Sequence, residues 1–321
     1  MKSKILPIAG DASFRTFYRL TSKKKKSKII VVAKKEKYKN LVAYTAINRF
    51  LRNHGILAPK LYDYNFNKGI IIIEDFGNSS IYDTLLKRKN KLLIYKKLID
   101  LLLRIQKIEP KFKIKNIKNN SHLIYKYSKK YLHKESDLFF DWYLPQLIGK
   151  KKSINLKNKG KKILSKLYNK LNFPNCCFVH RDYHSQNLIK VGKKIGIIDS
   201  QDALIGNPAY DLVSLIDDVR IKTTRKLKKQ ILNYYLKKNT TISKKDSNKF
   251  LEDFDILSIQ RNLKIIGIFS RLFKRDKKKK YLKFIPYAWD LIEQRISREI
   301  FLDLKKILDK NISKKQRNKK Y

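Results

Sequence analysis

His180-Arg181-Asp182-Tyr183-His184-Ser185-Gln186-Asn187, followed by Ile195-Gly196-Ile197-Ile198-Asp199, is the part of the chain that decides its architecture. The first block is polar and follows Cys177-Phe178-Val179, a short apolar run of strand type. Asn187 to Lys190 and Ile195 to Asp199 read as two further short strands closing a hairpin. Asp182 and Asn187 stand five positions apart on the loop, and Asp199 sits at a strand tip while its neighbours are apolar. Phosphoryl transfer asks little covalent chemistry of a protein. It needs one carboxylate to orient the acceptor hydroxyl and oxygen ligands to hold Mg2+ across the phosphates of ATP. Asp182 is therefore the candidate catalytic residue, orienting or deprotonating the acceptor, and Asn187 and Asp199 are the candidate metal ligands. His180 is expected to be a structural histidine, hydrogen-bonded in the core.

Working outward, the first 75 residues read as strands with one helix among them. Phe14 to Leu20 and Lys28 to Ala33 are strand-like, the latter through Ile29-Ile30-Val31-Val32. Leu41, Tyr44, Ile47, Phe50 and Leu51 recur at helical spacing from Asn40 to His54, with Gly55 placed to end the helix. Leu61 to Tyr64 and Ile70 to Ile73 complete the strands. The last of them runs into Glu74-Asp75-Phe76-Gly77, which holds the letters D-F-G of the kinase metal motif. It lies far ahead of the catalytic loop, so chain order excludes that role. Its position suits a hinge whose backbone groups bind adenine, with Glu74 and Phe76 as candidate contacts. Gly10-Asp11-Ala12-Ser13-Phe14-Arg15 is a turn suited to cover phosphates, with Ser13, Phe14 and Arg15 as candidates, although G-x-G-x-x-G is absent. Val32-Ala33-Lys34-Lys35 is similar to the V-A-I-K strand, making Lys34 a candidate for the α- and β-phosphates. The helix from Asn40 to His54 has no glutamate to pair with it, and Glu36 is the nearest substitute.

Beyond Ser80 the periodicity becomes helical. Leu92, Leu93, Leu98, Leu101, Leu102 and Ile105 fit one broad face, and Ala209 to Val219, Lys226 to Lys237, Ser247 to Phe273 and Ala288 to Leu308 are further expected helices. The lysine run 277–280 and the basic tail 314–321 are expected to be exposed and mobile. The expected division is an N-terminal nucleotide lobe over 1–75, a hinge at 76–80, and a catalytic and substrate lobe over 81–313. The fold class is α+β, strand-rich first and mainly helical afterwards.

The charge is extreme: 77 Lys and Arg against 27 Asp and Glu, a net +50. The lysines occur almost everywhere, mostly beside Ile and Asn, rather than concentrating with arginine and aromatics as a polyanion surface would. Compositional drift fits that spread, and nucleic acid is not the expected partner. Cys176 and Cys177 are adjacent and poorly placed to bridge each other, which fits a reducing compartment. No window reaches the roughly 18 apolar residues of a membrane span. A cytoplasmic monomer with a small-molecule substrate is expected.

These motifs resemble the aminoglycoside-phosphotransferase-like kinases, and within them the bacterial anomeric N-acetylmuramate/N-acetylglucosamine kinases of cell-wall recycling. The resemblance spans nearly the whole chain, through Gly10 to Arg15, Glu74 to Gly77, His180 to Ser185, Ile198 to Ala203, Tyr210 to Leu215 and Gln260 to Phe269. It implies a bilobal protein-kinase-like fold and transfer of the ATP γ-phosphate to the anomeric hydroxyl of an N-acetylated sugar. It agrees with the roles of Asp182, Asn187 and Asp199. Three positions depart from that pattern: Thr16 for a second arginine, Ser200 for phenylalanine, and Ala33 to Lys35 for Met-Asp. Arg261 and Lys264 lie one helical turn apart and so share a face, either to meet the lactyl carboxylate of a muramic sugar or as a solvated basic surface. Asp202 is a candidate substrate contact, and Asp211 a cap or a brace for the catalytic loop. Two other readings stay open. One is a kinase of another hydroxyl-bearing metabolite or aminoglycoside; the other, motivated by the charge and the missing glutamate, is an inactive kinase remnant that binds nucleic acid.

Overall fold

Ile29-Ile30-Val31-Val32 forms the centre of an antiparallel sheet. In the computed structural model, which describes residues 4–8, 15–22, 25–33, 38–117 and 119–319, this run belongs to β3 (Lys25–Val32). β3 pairs with β2 (Thr16–Ser22) on one side and with β5 (Ile70–Glu74) on the other. β1 (Lys4–Ile8) and β4 (Leu61–Asn65) are the edges, giving the order β1-β2-β3-β5-β4. The pleat sends alternate side chains to one face. Val31, Ile71 and Ile73 are buried there with Phe66, against Leu41 and Tyr44 of α1 (Tyr38–Asn53). Gly55, at φ 73, follows the end of α1 in a conformation that glycine enters without strain. β1 is an addition to the sequence reading: Lys4, Ile5, Leu6 and Pro7 are all exposed, so no alternation announces it.

The chain packs as two compact units, Met1–Tyr125 with Cys177–Ile205, and Lys126–Cys176 with Gly206–Tyr321. The first continues through α2 (Ile81–Lys87), α3 (Leu92–Gln106) and a small hairpin of β6 (Lys113–Lys115) and β7 (Ser121–Leu123). Of the expected α3 face, Leu98, Leu101, Leu102 and Ile105 are buried, but Leu93 is 62% exposed. The remainder of this unit is the catalytic segment: β8 (Cys177–Val179), then the antiparallel hairpin of β9 (Leu188–Val191) and β10 (Lys194–Ile197). Backbone bonds fasten the hairpin to earlier parts of this unit, from Lys190 N to Ser79 O and from Ile197 N to Leu57 O, both 2.8 Å.

The second unit is helical: α4 (Lys129–Leu138), a π-helical turn Phe139–Tyr143, α5 (Pro145–Ile148), α6 (Lys150–Asn169), α7 (Ala209–Ile216), α8 (Arg225–Lys238) and α9 (Ser247–Asp276), with α10 (Ile285–Glu293) and α11 (Leu302–Asn311) after them. α9 packs on α4, the π-helical turn, α7 and α10. The helix expected from Ala288 to Leu308 is therefore broken in two. Arg295 turns inward in the gap, donating to the Leu291 carbonyl and pairing with Asp255 and Asp217, while Arg298 also pairs with Asp255. These ion pairs outweigh local helix propensity. The tail differs too. Ser313 and Gln316 form a capping box at α12 (Lys314–Arg317), and Arg317 is buried over the Trp289 ring, paired with Glu293 and Asp309. That segment is an anchored helix rather than a mobile tail. Among the described residues no helix is long and apolar enough to cross a membrane.

Asp217 is fully buried, held by Lys228 at 2.8 Å, Arg295 at 3.1 Å and the Ser258 hydroxyl at 2.6 Å. Burial alone would raise its pKa, but the two cations and the hydroxyl overcome it and hold the carboxyl below its ordinary 3.8. A depressed carboxyl stabilises the fold above its unfolded value and loses that contribution as pH falls through the folded one. Stability to urea should thus decline below pH 3.8. Asp217→Asn should cost about 3 kcal/mol at neutral pH by stranding the cations, and should show a shallower acid decline. An identical acid limb in the variant would contradict this.

Candidate active site

The short strand β8 delivers His180 into the core, where its ring joins two parts of the site. Nε2 donates to the Ile198 carbonyl at 3.0 Å, and Nδ1 accepts from the Asp182 N–H at 3.3 Å. The two contacts orient the ring between Ile198 and Asp182. Asn187 makes the second link. Its Nδ2 donates to the Asp182 carbonyl at 3.0 Å, and its own carbonyl accepts from Ile198 N at 3.0 Å. Asn187 therefore touches the residue bearing the candidate base and the residue preceding Asp199. Tyr183 secures the loop from below, donating to Leu98 O at 2.8 Å.

Arg181 and Asp199 both have left-handed backbones, φ 73 and 66. Side-chain-bearing residues held there cost about 1–3 kcal/mol each, and such strain clusters at functional sites. Arg181 is held by the Asp202 carbonyl at 3.0 Å. Asp199 is paired with Arg15, which also donates to Gln201 Oε1 at 3.0 Å. Ser200 is buried, and its hydroxyl donates to Asn48 Oδ1 of α1 at 2.6 Å. Tyr44, one turn earlier on α1, has its phenol pushed up to about 12 by burial. Asp202 accepts from Gln201 Nε2 at 3.2 Å.

The stretch from Glu74 to Gly77 is equally well defined. Asp75 accepts from Arg19 at 2.6 and 3.1 Å, Ser27 at 2.7 Å and Gly77 N at 2.8 Å. Partial burial would raise its pKa, but these donors hold it below the carboxylate norm. Its oxygens are committed to the protein, which agrees with chain order in denying it the metal role. Glu74 accepts from Lys60 N at 3.1 Å and Arg52 at 3.2 Å. Phe76 lies on Gly196, where a Cβ would sit 2.5 Å from the ring. The glycine within Ile195-Gly-Ile-Ile is the sequence signal of that close approach.

Ser13, Phe14 and Lys34 lie outside the described residues. Arg261, Lys264 and Asp211 belong to the second unit. Asp211 is buried in the first turn of α7, whose N-cap position is Pro208. Arg261 and Lys264 are buried in α9, so a solvated basic face is ruled out. Lys264 pairs with Glu135 of α4 at 3.0 Å, and Tyr210, Gln260 and Tyr127 also donate to Glu135.

The residues fit Mg2+. This ion takes hard oxygens and is usually held by one or two carboxylates together with substrate phosphates. Among the described residues no three His, Cys, Asp or Glu side chains form a dedicated cage. With Asn187 Nδ2 committed to the Asp182 carbonyl, its Oδ1 is the atom left to ligate, and the Asp199 carboxylate is 38% exposed.

Known proteins share this organisation. The chain is 26% identical over 299 residues to the N-acetylmuramate/N-acetylglucosamine kinase of Pseudomonas aeruginosa, covering 92% of this chain and 85% of that protein. It is 27% identical to the protein of the same name from Caulobacter vibrioides, covering 84% and 74%. Among solved structures, the ADP-bound aminoglycoside phosphotransferase APH(2'')-Ib superposes with a TM-score of 0.61 at 14% identity, covering 93% of this chain and 94% of the other. Choline kinase LicA of Streptococcus pneumoniae gives 0.59, also at 14%, covering 91% and 92%. These likenesses establish the protein-kinase-like α+β fold. The matching family model spans residues 4–244, three quarters of the chain, and makes this chain a member of the phosphotransferase enzyme family.

Proposed function

We propose that the chain transfers the γ-phosphate of ATP, with Mg2+, to the anomeric hydroxyl of N-acetylmuramate or N-acetylglucosamine. The observation that supports the chemistry is the contact of Asn187 with both the Asp182 carbonyl and Ile198 N, which ties the residue proposed as base to the residue preceding Asp199. The names of the relatives support the sugar. Asp182 orients the acceptor hydroxyl and takes its proton as the oxygen–phosphorus bond forms. Asn187 and Asp199 would hold Mg2+, which when bound neutralises charge across the phosphates.

Residues 1–75 would form the nucleotide lobe and 76–80 the hinge, with Glu74 and Phe76 at the adenine and Ser13, Phe14, Arg15 and Lys34 towards the phosphates. Asp202 is proposed to contact the sugar, and Asp211 to brace the loop. For the lactyl carboxylate of a muramic sugar Arg261 is proposed ahead of Lys264, because a guanidinium can grip a carboxylate with two bonds. On this reading the protein is a cytoplasmic monomer.

ADP release should be measured with N-acetylmuramate, N-acetylglucosamine, choline and an aminoglycoside in parallel. Turnover is expected with at least one of the two sugars, at least about tenfold above the other acceptors, the selectivity available when unpaired polar groups reject a poor fit. Turnover of choline or the aminoglycoside with neither sugar would overturn the assignment.

A further inference from the structure

Arg15 immediately precedes β2, and its guanidinium lies against residues 199 and 201. Its side chain is only 5% exposed, whereas that of its partner Asp199 is 38% exposed. Four neighbours fix the guanidinium: the Asp199 carboxylate, Gln201 Oε1 at 3.0 Å, and the rings of Phe17 and Tyr44 with centroids 5.6 and 5.8 Å away. A fork-shaped cation between two aromatic faces is preorganised and gives up little rotamer freedom. α1 carries no acidic residue that could hold a β3 lysine. It supplies Asn48 to Ser200 and Tyr44 to Arg15 instead. Among the described residues, Arg15, just before β2, supplies a cation to the 199–201 turn.

We propose that Arg15 is a positioning residue that stands in for the metal at Asp199 while the protein is free of nucleotide. It holds the carboxylate on its left-handed turn, and a divalent ion reaching Asp199 must displace it. The inference rests on the reading of Asp199 as a metal ligand. Two cations on one part-buried carboxylate repel each other, so metal alone binds weakly. Nucleotide phosphates offer the displaced guanidinium new acceptors, so metal and nucleotide bind with positive coupling, each raising the affinity for the other.

Mn2+ serves as the probe, with unbound ion counted by its electron paramagnetic resonance signal, with and without ATP. Wild type should bind Mn2+ weakly alone and more tightly with ATP. Arg15→Gln should bind Mn2+ without nucleotide at least about fivefold more tightly than wild type, as expected when a competing ion pair is removed, and show reduced coupling. Arg15→Lys keeps the charge but not the fork, and should fall between them. This second variant serves should the first fail to fold. A purely structural role would lower thermal stability and leave nucleotide-free Mn2+ affinity unchanged or weaker, and that result overturns the proposal. Absence of any Mn2+·ATP binding by wild type would instead remove the metal-ligand reading of Asp199 beneath it.

Discussion

Asp182→Asn should lower kcat by roughly 100- to 10,000-fold, the range for loss of a positioned acid–base group, and leave KM for ATP within a few-fold. Residue 182 makes backbone bonds that do not depend on its carboxylate. Its N–H donates to His180 Nδ1 and its carbonyl accepts from Asn187. An asparagine keeps both, so loop and metal ligands stay in place while the carboxylate is lost. Steady-state kinetics checks this, with thermal melting to show that the variant is folded. A kcat within tenfold of wild type in a folded variant would move the base elsewhere.

The second large effect concerns stability. A Cβ on Gly267 would lie 2.3 Å from the Leu138 carbonyl carbon and 2.5 Å from its oxygen and from Phe139 N. The obstacle is backbone, so α9 must retreat from the π-helical turn. That retreat would loosen the packing of Phe139, Tyr143 and Trp289, whose indole N–H donates to Tyr143 Oη at 3.0 Å. Gly267→Ala should cost about 3 kcal/mol or more, despite the roughly 1 kcal/mol that alanine gains by helix propensity. Gly160→Ala is the comparison: its Cβ would also meet an atom at 2.5 Å, but that atom belongs to the Phe140 ring, which can turn. Its loss should be smaller. Equal urea midpoints for Gly267→Ala and wild type would contradict the account of this helix contact.

What could be read from the chain and what could not divide along the range of the forces involved. The strand, loop and hairpin that carry Asp182, Asn187 and Asp199 were legible because spacing and β-branched runs fix the backbone there. The sheet from β2 to β5 was legible for the same reason, as was α1 with Gly55 at its end. Partnerships across long stretches of chain were not. Nothing local to Arg15 points to Asp199, nor anything local to Lys264 to Glu135. The break between α10 and α11 follows from Asp217 and Asp255 drawing Arg295 and Arg298 out of helical register, which no propensity encodes. Like-charge counting misjudged the tail because Arg317 finds two acids and an indole in the folded chain. One departure from the family pattern became intelligible: Ser200, in place of phenylalanine, is matched by the polar Asn48 on α1, so a hydrogen bond occupies the position of an apolar contact.

The central claim, that Asp182, Asn187 and Asp199 act together on a metal-bound nucleotide to phosphorylate a sugar, is tested most directly by 31P NMR. The protein is mixed with ATP, Mg2+ and N-acetylmuramate or N-acetylglucosamine, and Asp199→Asn is run alongside. The prediction is a phosphomonoester resonance coupled to the anomeric proton, growing as the ATP γ-resonance falls, with both changes lost in the variant. Persistence of the ATP γ-resonance with wild type and both sugars, or equal product from the variant, would contradict it.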